Sequence, residues 1–533
     1  MIKRIGWGTL VGALMISLGL PWVFVLQGLP FNLPTPTAQL WHYPGIASAL
    51  RDSLVVGLVA SCISLFIASI IIGRDATHGK PKTNDVGLTF AAPHLAFAIA
   101  FLWLFTPFGW FDRVLPFALP WFEQQSLVTL ITILVFKETP FLVVLGRQQL
   151  AQLPYRQWIL QGRSVGTSAQ RSWWLIVFPA WLKAMRLVLI AVAIYTVSVV
   201  DVAQVTGPLN PPLLAPLVVN WQLQFDPLSQ QLAEQGTWLL MGLAGMMALW
   251  VIAQELVLRC LMSARVGRVV AQSYEAAVAL ATSIIRRASL IALLGVSTAA
   301  CIALIALTFA RGWFYPSVLP LEWSIASWSA HNDLLLQRLG TTLSIGLVVA
   351  VLATMAITAL REWQRHHRYE INDAWLLAAL FVPQLSLVVA WLHSDWSQWF
   401  SNDTASVVMA HFWFSFAYGY LIYAPAERAV PQTHLTLGRS LGFGYWRSWW
   451  WFKRPLLTGA LAHCLLVTLL VSVAQYVPTL LLGAGRTPTL TTELVALSSG
   501  GEWQLPAMFA TALWLLALVS LVLTQIISKE PEL

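Results

Sequence analysis

Apolar stretches of about 20 residues recur along the whole length of this 533-residue chain. A helix needs roughly 20 such residues to cross the ~30 Å hydrocarbon core of a bilayer. Charged residues make up 10% of the sequence, against about 25% in soluble domains, too few to cover a water-facing surface. Soluble enzymes, secreted binding proteins and disordered scaffolds are therefore excluded. The sequence predicts an all-α polytopic membrane protein, embedded in a lipid bilayer, with about twelve transmembrane helices near residues 7–28, 53–73, 87–107, 126–146, 183–204, 236–257, 289–309, 340–360, 374–392, 405–424, 457–478 and 507–527.

The first apolar stretch follows Lys3 and Arg4 and could be a signal peptide. No small-residue cleavage pattern follows Gln27, so we interpret the stretch as a retained first span. The four cysteines show no CxxC spacing and lie inside or at the edge of apolar stretches. Neither a disulfide framework nor a metal site is predicted.

Lysine and arginine in short loops set the orientation of a membrane protein. With a cytoplasmic N-terminus, the inside segments hold 25 of the 31 Lys and Arg residues, and Lys137 lies within a span. The outside loops hold the other five, which are Arg51, Arg113, Arg311, Arg338 and Arg486. This bias predicts that both termini are cytoplasmic. It also accounts for the formal net charge of +8, so no nucleic-acid partner is predicted.

A basic segment at residues 259–288 divides the predicted spans six and six. We therefore expect a first unit at 1–258, a cytoplasmic linker at 259–288 and a second unit at 289–533, arranged as two pseudo-symmetric halves. A loop recurs between the fourth and fifth spans of each half. Residues 162–179 align without gaps with residues 438–455, and nine of the eighteen positions are identical. Weaker similarities, such as Pro93 with Pro383 and the segment from Ser53 with the segment from Thr342, extend the duplication over the whole chain.

The repeated loop has the chemistry of a surface-lying element. Its glycines permit a turn or close backbone approach, and its final proline suits the first turn of the next span. Its arginines keep the segment at the cytoplasmic face. An ordinary anchoring loop is the simpler interpretation, but recurrence in register favours a dedicated function. The candidate residues are Gly162, Arg163, Ser164, Gly166, Arg171 and Pro179, with their counterparts Gly438, Arg439, Ser440, Gly442, Arg447 and Pro455.

This loop resembles the signature of binding-protein-dependent ABC importer permeases, which reads Glu-Ala-Ala, three residues, Gly, nine residues, Ile, one residue, Leu, Pro. The glycine-to-proline spacing matches twice, whereas Leu160-Gln161-Gly162 and Thr436-Leu437-Gly438 replace the Glu-Ala-Ala triplet. A literal Glu275-Ala276-Ala277 in the linker lacks the rest of the signature. The matching positions are Gly166, Ile176, Phe178 and Pro179 in the first copy and Gly442, Phe452, Arg454 and Pro455 in the second.

The resemblance implies a type I ABC importer permease in the bacterial cytoplasmic membrane. The six-plus-six layout in one polypeptide looks like the fused double permeases of the ferric-iron and thiamine importer branch. In that family each signature loop, here 160–179 and 436–455, forms a coupling helix that docks on one copy of a separate cytoplasmic ATP-binding subunit. An external solute-binding protein delivers the solute. The chain itself would then bind no cofactor and would not be an enzyme, since the partner uses the ATP.

Two other classes are open at this point. The nearest string to a phosphate-binding loop, from Gly73 to Pro81, has the wrong spacing, so energy comes from a partner or from an ion gradient. If an ion gradient supplies the energy, the chain is a twelve-span secondary transporter. The third class is a membrane-embedded transferase or hydrolase, for which His366 and His367 beside Glu362 and Glu370 form the candidate cluster. In a basic loop such a cluster is more typical of a solvated face.

Charged or polar residues inside spans need a reason, because a charge at mid-membrane costs about 2.5–3.5 kcal/mol on the insertion scale. Lys137 and Glu138 lie near the middle of the fourth span, where the second half has Trp413 and Phe414. Each finds a partner on a neighbouring helix or borders a hydrated path. Asp201 and Gln475 align between the halves. On straight helices they lie roughly 30 Å beyond the loop prolines, which places them near the outer mouth of a possible pathway.

Overall fold

A computed structural model of the chain describes residues 2–28, 38–78, 86–115, 122–263, 275–400, 402–500 and 502–528. Within these ranges the chain is helical apart from loops and one two-stranded antiparallel hairpin, in which Ala310 pairs with Trp323 and Arg311 with Glu322. Helices suit a bilayer because each satisfies its own backbone hydrogen bonds. The predicted all-helical class is confirmed.

Long and short helices alternate in the first half. A π-helix, Trp173–Val177, lies between α9 and α10. The α-helices are α1 (Ile2–Gly28), α2 (Ala38–His42), α3 (Ile46–His78), α4 (Gly87–Ala91), α5 (His94–Phe105), α6 (Trp110–Val114), α7 (Leu127–Ala151), α8 (Tyr155–Ser164), α9 (Ala169–Ser172), α10 (Phe178–Ala184), α11 (Arg186–Ser198), α12 (Asp201–Thr206), α13 (Leu214–Gln222) and α14 (Pro227–Ser263).

The second half repeats this order and adds the hairpin of β1 (Ala310–Arg311) and β2 (Glu322–Trp323). A second π-helix, Trp449–Lys453, occupies the same place in the order, and 3₁₀ helices span Ala378–Leu380 and Asp395–Trp399. The α-helices are α15 (Glu275–Phe309), α16 (Ala326–His367), α17 (Asp373–Leu376), α18 (Gln384–Leu392), α19 (Asp403–Ala429), α20 (Thr433–Ser440), α21 (Tyr445–Ser448), α22 (Arg454–Ala474), α23 (Val477–Gly483), α24 (Leu490–Ser498) and α25 (Gln504–Ser528).

The sequence predicts about twelve continuous spans, and the structure shows which of the described ones are continuous helices. In the described ranges nine helices are long and apolar enough to cross a membrane, or ten if the pair 169–184 and 186–198, bent by 65°, is one span. The predicted ninth span, 374–392, is broken at Pro383, because the residue before a proline avoids the helical region. The nine-residue α18 that follows is only about 14 Å long.

The two halves share tertiary contacts as well as helix order. The Ser53 hydroxyl accepts the N–H of Leu214 at 2.9 Å, at the start of α13. Thr342, which the sequence alignment pairs with Ser53, accepts the N–H of Leu490 at 2.8 Å, at the start of α24. The same side-chain cap on equivalent helices supports the duplication that the sequence predicts.

The halves are interlocked through their first helices. Helix α1 packs on α18 of the second half, and α15 packs on α5 of the first. The indole N–H of Trp391 in α18 donates to the Pro21 carbonyl in α1 at 3.0 Å. The Thr89 hydroxyl in α4 donates to the Leu293 carbonyl in α15 at 3.2 Å. Each half therefore completes its core with a helix from the other. The described ends of the segment 259–288 are also helical, as the end of α14 and the start of α15.

Candidate functional site

The repeated loop adopts the same backbone in both halves. After α8, Gly166 has a φ of +82°, and after α20, Gly442 has a φ of +81°. This left-handed region costs other L-residues roughly 1–2 kcal/mol, so glycine suits both turns. The Gly166 N–H donates to the Arg163 carbonyl at 3.1 Å, and the Gly442 N–H donates to the Arg439 carbonyl at 3.0 Å. The two glycines that the sequence analysis selected therefore form the turns between two helices in each loop.

A second glycine in each loop marks a close approach. A Cβ on Gly162 would lie 2.1 Å from Ser172 Oγ, and one on Gly438 would lie 2.7 Å from the side chain of Ser448. Both serines are buried, and both belong to the short helix after the turn. The close contact folds that helix back on the preceding one. These glycines stand where the family signature ends its Glu-Ala-Ala triplet, so the departure from the triplet has a local packing reason.

The outer side of each loop is exposed. Val165 and Leu441, at equivalent positions beside the turn glycines, are 77% and 60% exposed. Exposed arginines and serines flank them, namely Arg163, Ser164, Arg439, Ser440 and, in the second copy, Arg447. Arg171 is half-buried. An exposed aliphatic tip between basic residues is suited to insertion into a groove of another protein.

The inner side of each loop joins a span through a π-helix. Trp173 and Trp449 begin the two π-helices and are buried. Pro179 and Pro455 are each the second residue of the α-helix that follows, where the missing N–H breaks no hydrogen bond. Each loop is therefore continuous with the helix that follows it.

A buried ionic network holds the second loop, and the sequence analysis missed it. Lys453 Nζ donates to Glu362 Oε1 at 2.5 Å and to Glu427 Oε1 at 2.8 Å. Arg361 donates to Glu427 Oε2 from Nε at 3.1 Å and from Nη2 at 2.8 Å. The Tyr445 hydroxyl donates to Glu362 Oε2 at 2.7 Å. At the place of Lys453 the first copy has Val177, so this network has no counterpart there.

The same network argues against the candidate transferase or hydrolase site at His366, His367, Glu362 and Glu370. The Glu362 side chain is fully buried and already paired, whereas His366, His367 and Glu370 are exposed. In the part of the chain that the structure describes, no group of three His, Cys, Asp or Glu side chains could hold a metal ion. The transferase or hydrolase interpretation therefore lacks a site at this position.

A cavity of about 230 Å³ lies between the halves. The first half lines it from α5, α7, α11 and α12, and the second half from α18, α19, α22 and α23. The prolines at the two broken helices, Pro93 and Pro383, both border it. Its polar lining residues are His94, Glu138, Tyr195, Ser198, Asp201, Gln384, Tyr418, Gln475 and Tyr476.

Lys137 and Glu138 point in different directions. Lys137 is buried, and its ammonium group donates to the Thr89 carbonyl at 2.7 Å and also to the carbonyl of Ala92. It therefore satisfies backbone groups freed where Pro93 interrupts the helix. Glu138 faces the cavity, where its Oε1 lies 3.2 Å from His94 Nε2. Each residue has a partner on a neighbouring helix, and only Glu138 reaches the cavity.

Asp201 and Gln475 both line this cavity. Asp201 is the first residue of α12. The amide of Gln475 donates to the His411 carbonyl at 3.2 Å and to Ser415 Oγ at 3.4 Å. The straight-helix distance from Pro179 is wrong, because the chain bends by 65° between 184 and 186 and α11 ends at Ser198. Asp201 therefore shares an interior cavity with Glu138.

Several lining residues were not predicted. His94 and Gln384 each follow the proline of a broken helix, and the Pro93–Pro383 similarity was the available signal. Tyr195, Tyr418 and Tyr476 lie in apolar runs, where a tyrosine is indistinguishable from a core residue.

The chain is 29% identical over 518 residues to the inner membrane ABC transporter permease protein YnjC of Escherichia coli (strain K12). The match covers 93% of this chain and 92% of that protein, so it reaches into both halves. The chain is a homologue of an ABC transporter permease. No family model matches it.

This homology confirms the predicted class and function, which are a multi-pass inner-membrane protein and a permease subunit of an ABC transporter. In such transporters a partner ATPase hydrolyses the ATP, and the permease subunit is not an enzyme.

Proposed function

We propose that the chain is a fused double permease that forms the translocation pathway of an ATP-driven solute importer. Two copies of a cytoplasmic ATPase would dock on the two repeated loops, at 160–179 and 436–455. An external binding protein would deliver the solute. The observation that carries this proposal is the repeated loop, whose turn, buried serine, π-helix and proline recur in both halves. Two equivalent docking elements suit a partner that acts as a dimer.

The coupling step follows from how each loop is built. Its exposed tip can bind a partner, and its inner end continues through the π-helix into α10 or α22. Residues of α11 and α22 border the cavity. Closure of an ATPase dimer would therefore move the cavity walls from both sides, and the two arrangements of the halves would open the cavity alternately.

Contacts between loops support the proposed orientation. Arg113 donates to the Ser317 carbonyl at 3.0 Å, so two loops predicted to be external lie together. Gln170 in the first repeated loop donates to Thr282 Oγ1 at 2.6 Å. That contact joins two segments predicted to be cytoplasmic. Residues 1–258 and 289–533 would thus form two permease units joined by a cytoplasmic linker, with both termini in the cytoplasm. The ferric-iron and thiamine importer branch is the proposed group.

The test compares two substitutions in the second loop. Gly442→Ala places a Cβ at a φ of +81° and should distort the turn, because alanine is strained there. Gly444→Ala, two residues away, has a negative φ and open space around its Cβ position, so it is the matched control. The ATPase that copurifies with the unaltered chain is then measured in preparations of each variant.

We expect the purified permease alone to hydrolyse no ATP. The Gly442→Ala variant should insert normally and retain less than about half of the bound ATPase, whereas Gly444→Ala should retain all of it. Equal retention by both variants would show that the loop is not the docking element. Transport that needs no ATPase and follows a proton or sodium gradient would support the secondary-transporter class instead.

A further inference from the structure

The lining of the cavity between the halves has more acidic than basic side chains. Its acidic lining residues are Glu138 and Asp201, and in the described ranges no lysine or arginine lines it. His94 is the only lining base there, and it lies beside Glu138. When both carboxylates are ionised, the lining charge is −2 with neutral His94 and −1 with protonated His94. A negatively charged lining attracts a positively charged solute, whereas it does not attract a neutral or negatively charged one.

Lys137, which is next to Glu138 in the sequence, does not line the cavity. Lys137 directs its ammonium group at the carbonyls of Thr89 and Ala92, behind the lining. Its N–H donors are therefore directed at backbone oxygens. A solute in the cavity would meet the carboxylate of Glu138 and not the ammonium group of Lys137.

The remaining lining is largely aromatic or aliphatic. The rings of Phe90, Phe141 and Phe414 border the cavity together with three tyrosines. Aromatic faces attract cations, and most strongly where water is scarce. Metal ions are a poorer fit, since the described residues contain no group of three His, Cys, Asp or Glu side chains placed for a metal. The volume of about 230 Å³ is several times the ~30 Å³ of one water molecule.

From these observations we infer that the cavity admits organic cations, such as amines with an apolar or aromatic body. Glu138 and Asp201 attract the positive group, and the aromatic rings contact the remainder of the solute. The inference rests on the proposed function, because it assigns a solute class to the proposed pathway. Both carboxylates come from the first half, because Phe414 and Gln475 stand at the equivalent positions of the second half. The cavity can therefore bind a positive group on one side and an uncharged group on the other.

The experiment measures charge selection without knowing the natural solute. Full-length protein in membrane vesicles, with its four cysteines replaced by alanine, receives one cysteine on the cavity wall. The positions are Ser198→Cys in the first half and Ala474→Cys in the second. Each is reacted with trimethylammonioethyl methanethiosulfonate, a cation, and with sulfonatoethyl methanethiosulfonate, an anion. Rates are divided by those for free mercaptoethanol, with and without the ATPase and a non-hydrolysable ATP analogue.

We expect the cation to react at least about tenfold faster than the anion, because a unit charge within roughly 10 Å acts strongly on a probe at a protein dielectric of about 20. Asp201→Asn or Glu138→Gln should each lower this ratio severalfold. Asp226→Asn removes an exposed carboxylate outside the cavity lining and should leave the ratio unchanged.

The possible failures are distinguishable. Equal rates, faster reaction of the anion, or an equal effect of Asp226→Asn would overturn the organic-cation inference and leave the pathway in place. No reaction of either probe at either position, in any nucleotide state, would show that the cavity is not part of a pathway. That result would overturn the proposed function at this site and the inference with it.

Discussion

The buried ionic network behind the second loop makes a sharp prediction about stability. Glu427 accepts hydrogen bonds from Arg361 and Lys453, and Arg365 Nε lies 3.0 Å from its Oε1. The side chains of Glu427, Glu362, Lys453 and Arg361 are at most 2% exposed. Three cations therefore share two carboxylates. Glu427→Gln keeps the shape and leaves three cations with one carboxylate.

The expected cost follows from the mutual compensation of these charges. Removing one partner of a buried ion pair typically destabilises by about 3–5 kcal/mol, because it leaves an uncompensated charge. Glu427→Gln changes the summed charge of the network from +1 to +2, so we expect a loss in that range. Lys453→Met gives a sum of zero and should cost less. The double variant restores +1, so its cost should be below the sum of the single costs by about 1–3 kcal/mol.

The assay is thermal unfolding of the purified chain in detergent, followed by the fluorescence of its 28 tryptophans. Glu322→Gln is the matched control, since Glu322 pairs with Arg311 at 3.8 Å while both side chains are about 70% exposed. An exposed pair of this kind contributes little, so the control should unfold like the unaltered chain. If Glu427→Gln also unfolds like the unaltered chain, or if the double variant is additive, the network is hydrated and the reasoning fails.

Two further predictions concern the duplication and the orientation. Ser53→Ala and Thr342→Val should each destabilise by about 1–3 kcal/mol, because each leaves a buried N–H without its acceptor. Thermal unfolding of both variants measures this, and widely different losses would contradict the equivalence of the two caps. Reporter fusions after Lys3, in the 261–288 segment and at Glu530 should all report cytoplasm. A periplasmic signal from the linker fusion would contradict the two-unit arrangement.

The repeated loop was predictable from the sequence in unusual detail. Gly166 and Gly442 stand at the turns because their left-handed backbone conformation is unfavourable for other residues, and the alignment of 162–179 with 438–455 preserves that preference. Pro179 and Pro455 follow the same local rule at the helix start. The resemblance to ABC importer permeases rested on these positions, and the similarity to an ABC transporter permease confirms the broader class of ABC permease.

Helix continuity was less predictable. Hydropathy gave twelve segments, but it reports only where apolar residues lie and not where a helix breaks. The ninth segment is interrupted at Pro383, and the fifth bends between 184 and 186. Such breaks are tolerated inside a bundle because neighbouring groups satisfy the freed backbone, as Lys137 does for Thr89 and Ala92. The assumption of a straight helix between Pro179 and Asp201 does not hold for this reason.

The sequence by itself determined the membrane class, the duplication and the shape of the two loops, because these depend on composition and on residues close together in the chain. Only the tertiary structure decided which polar residues meet. Glu138 and Asp201 line one cavity although 63 positions separate them in the sequence. Lys453 pairs with Glu362, 91 positions away. No local pattern encodes such pairs, because they form only when helices that are far apart in the sequence pack together.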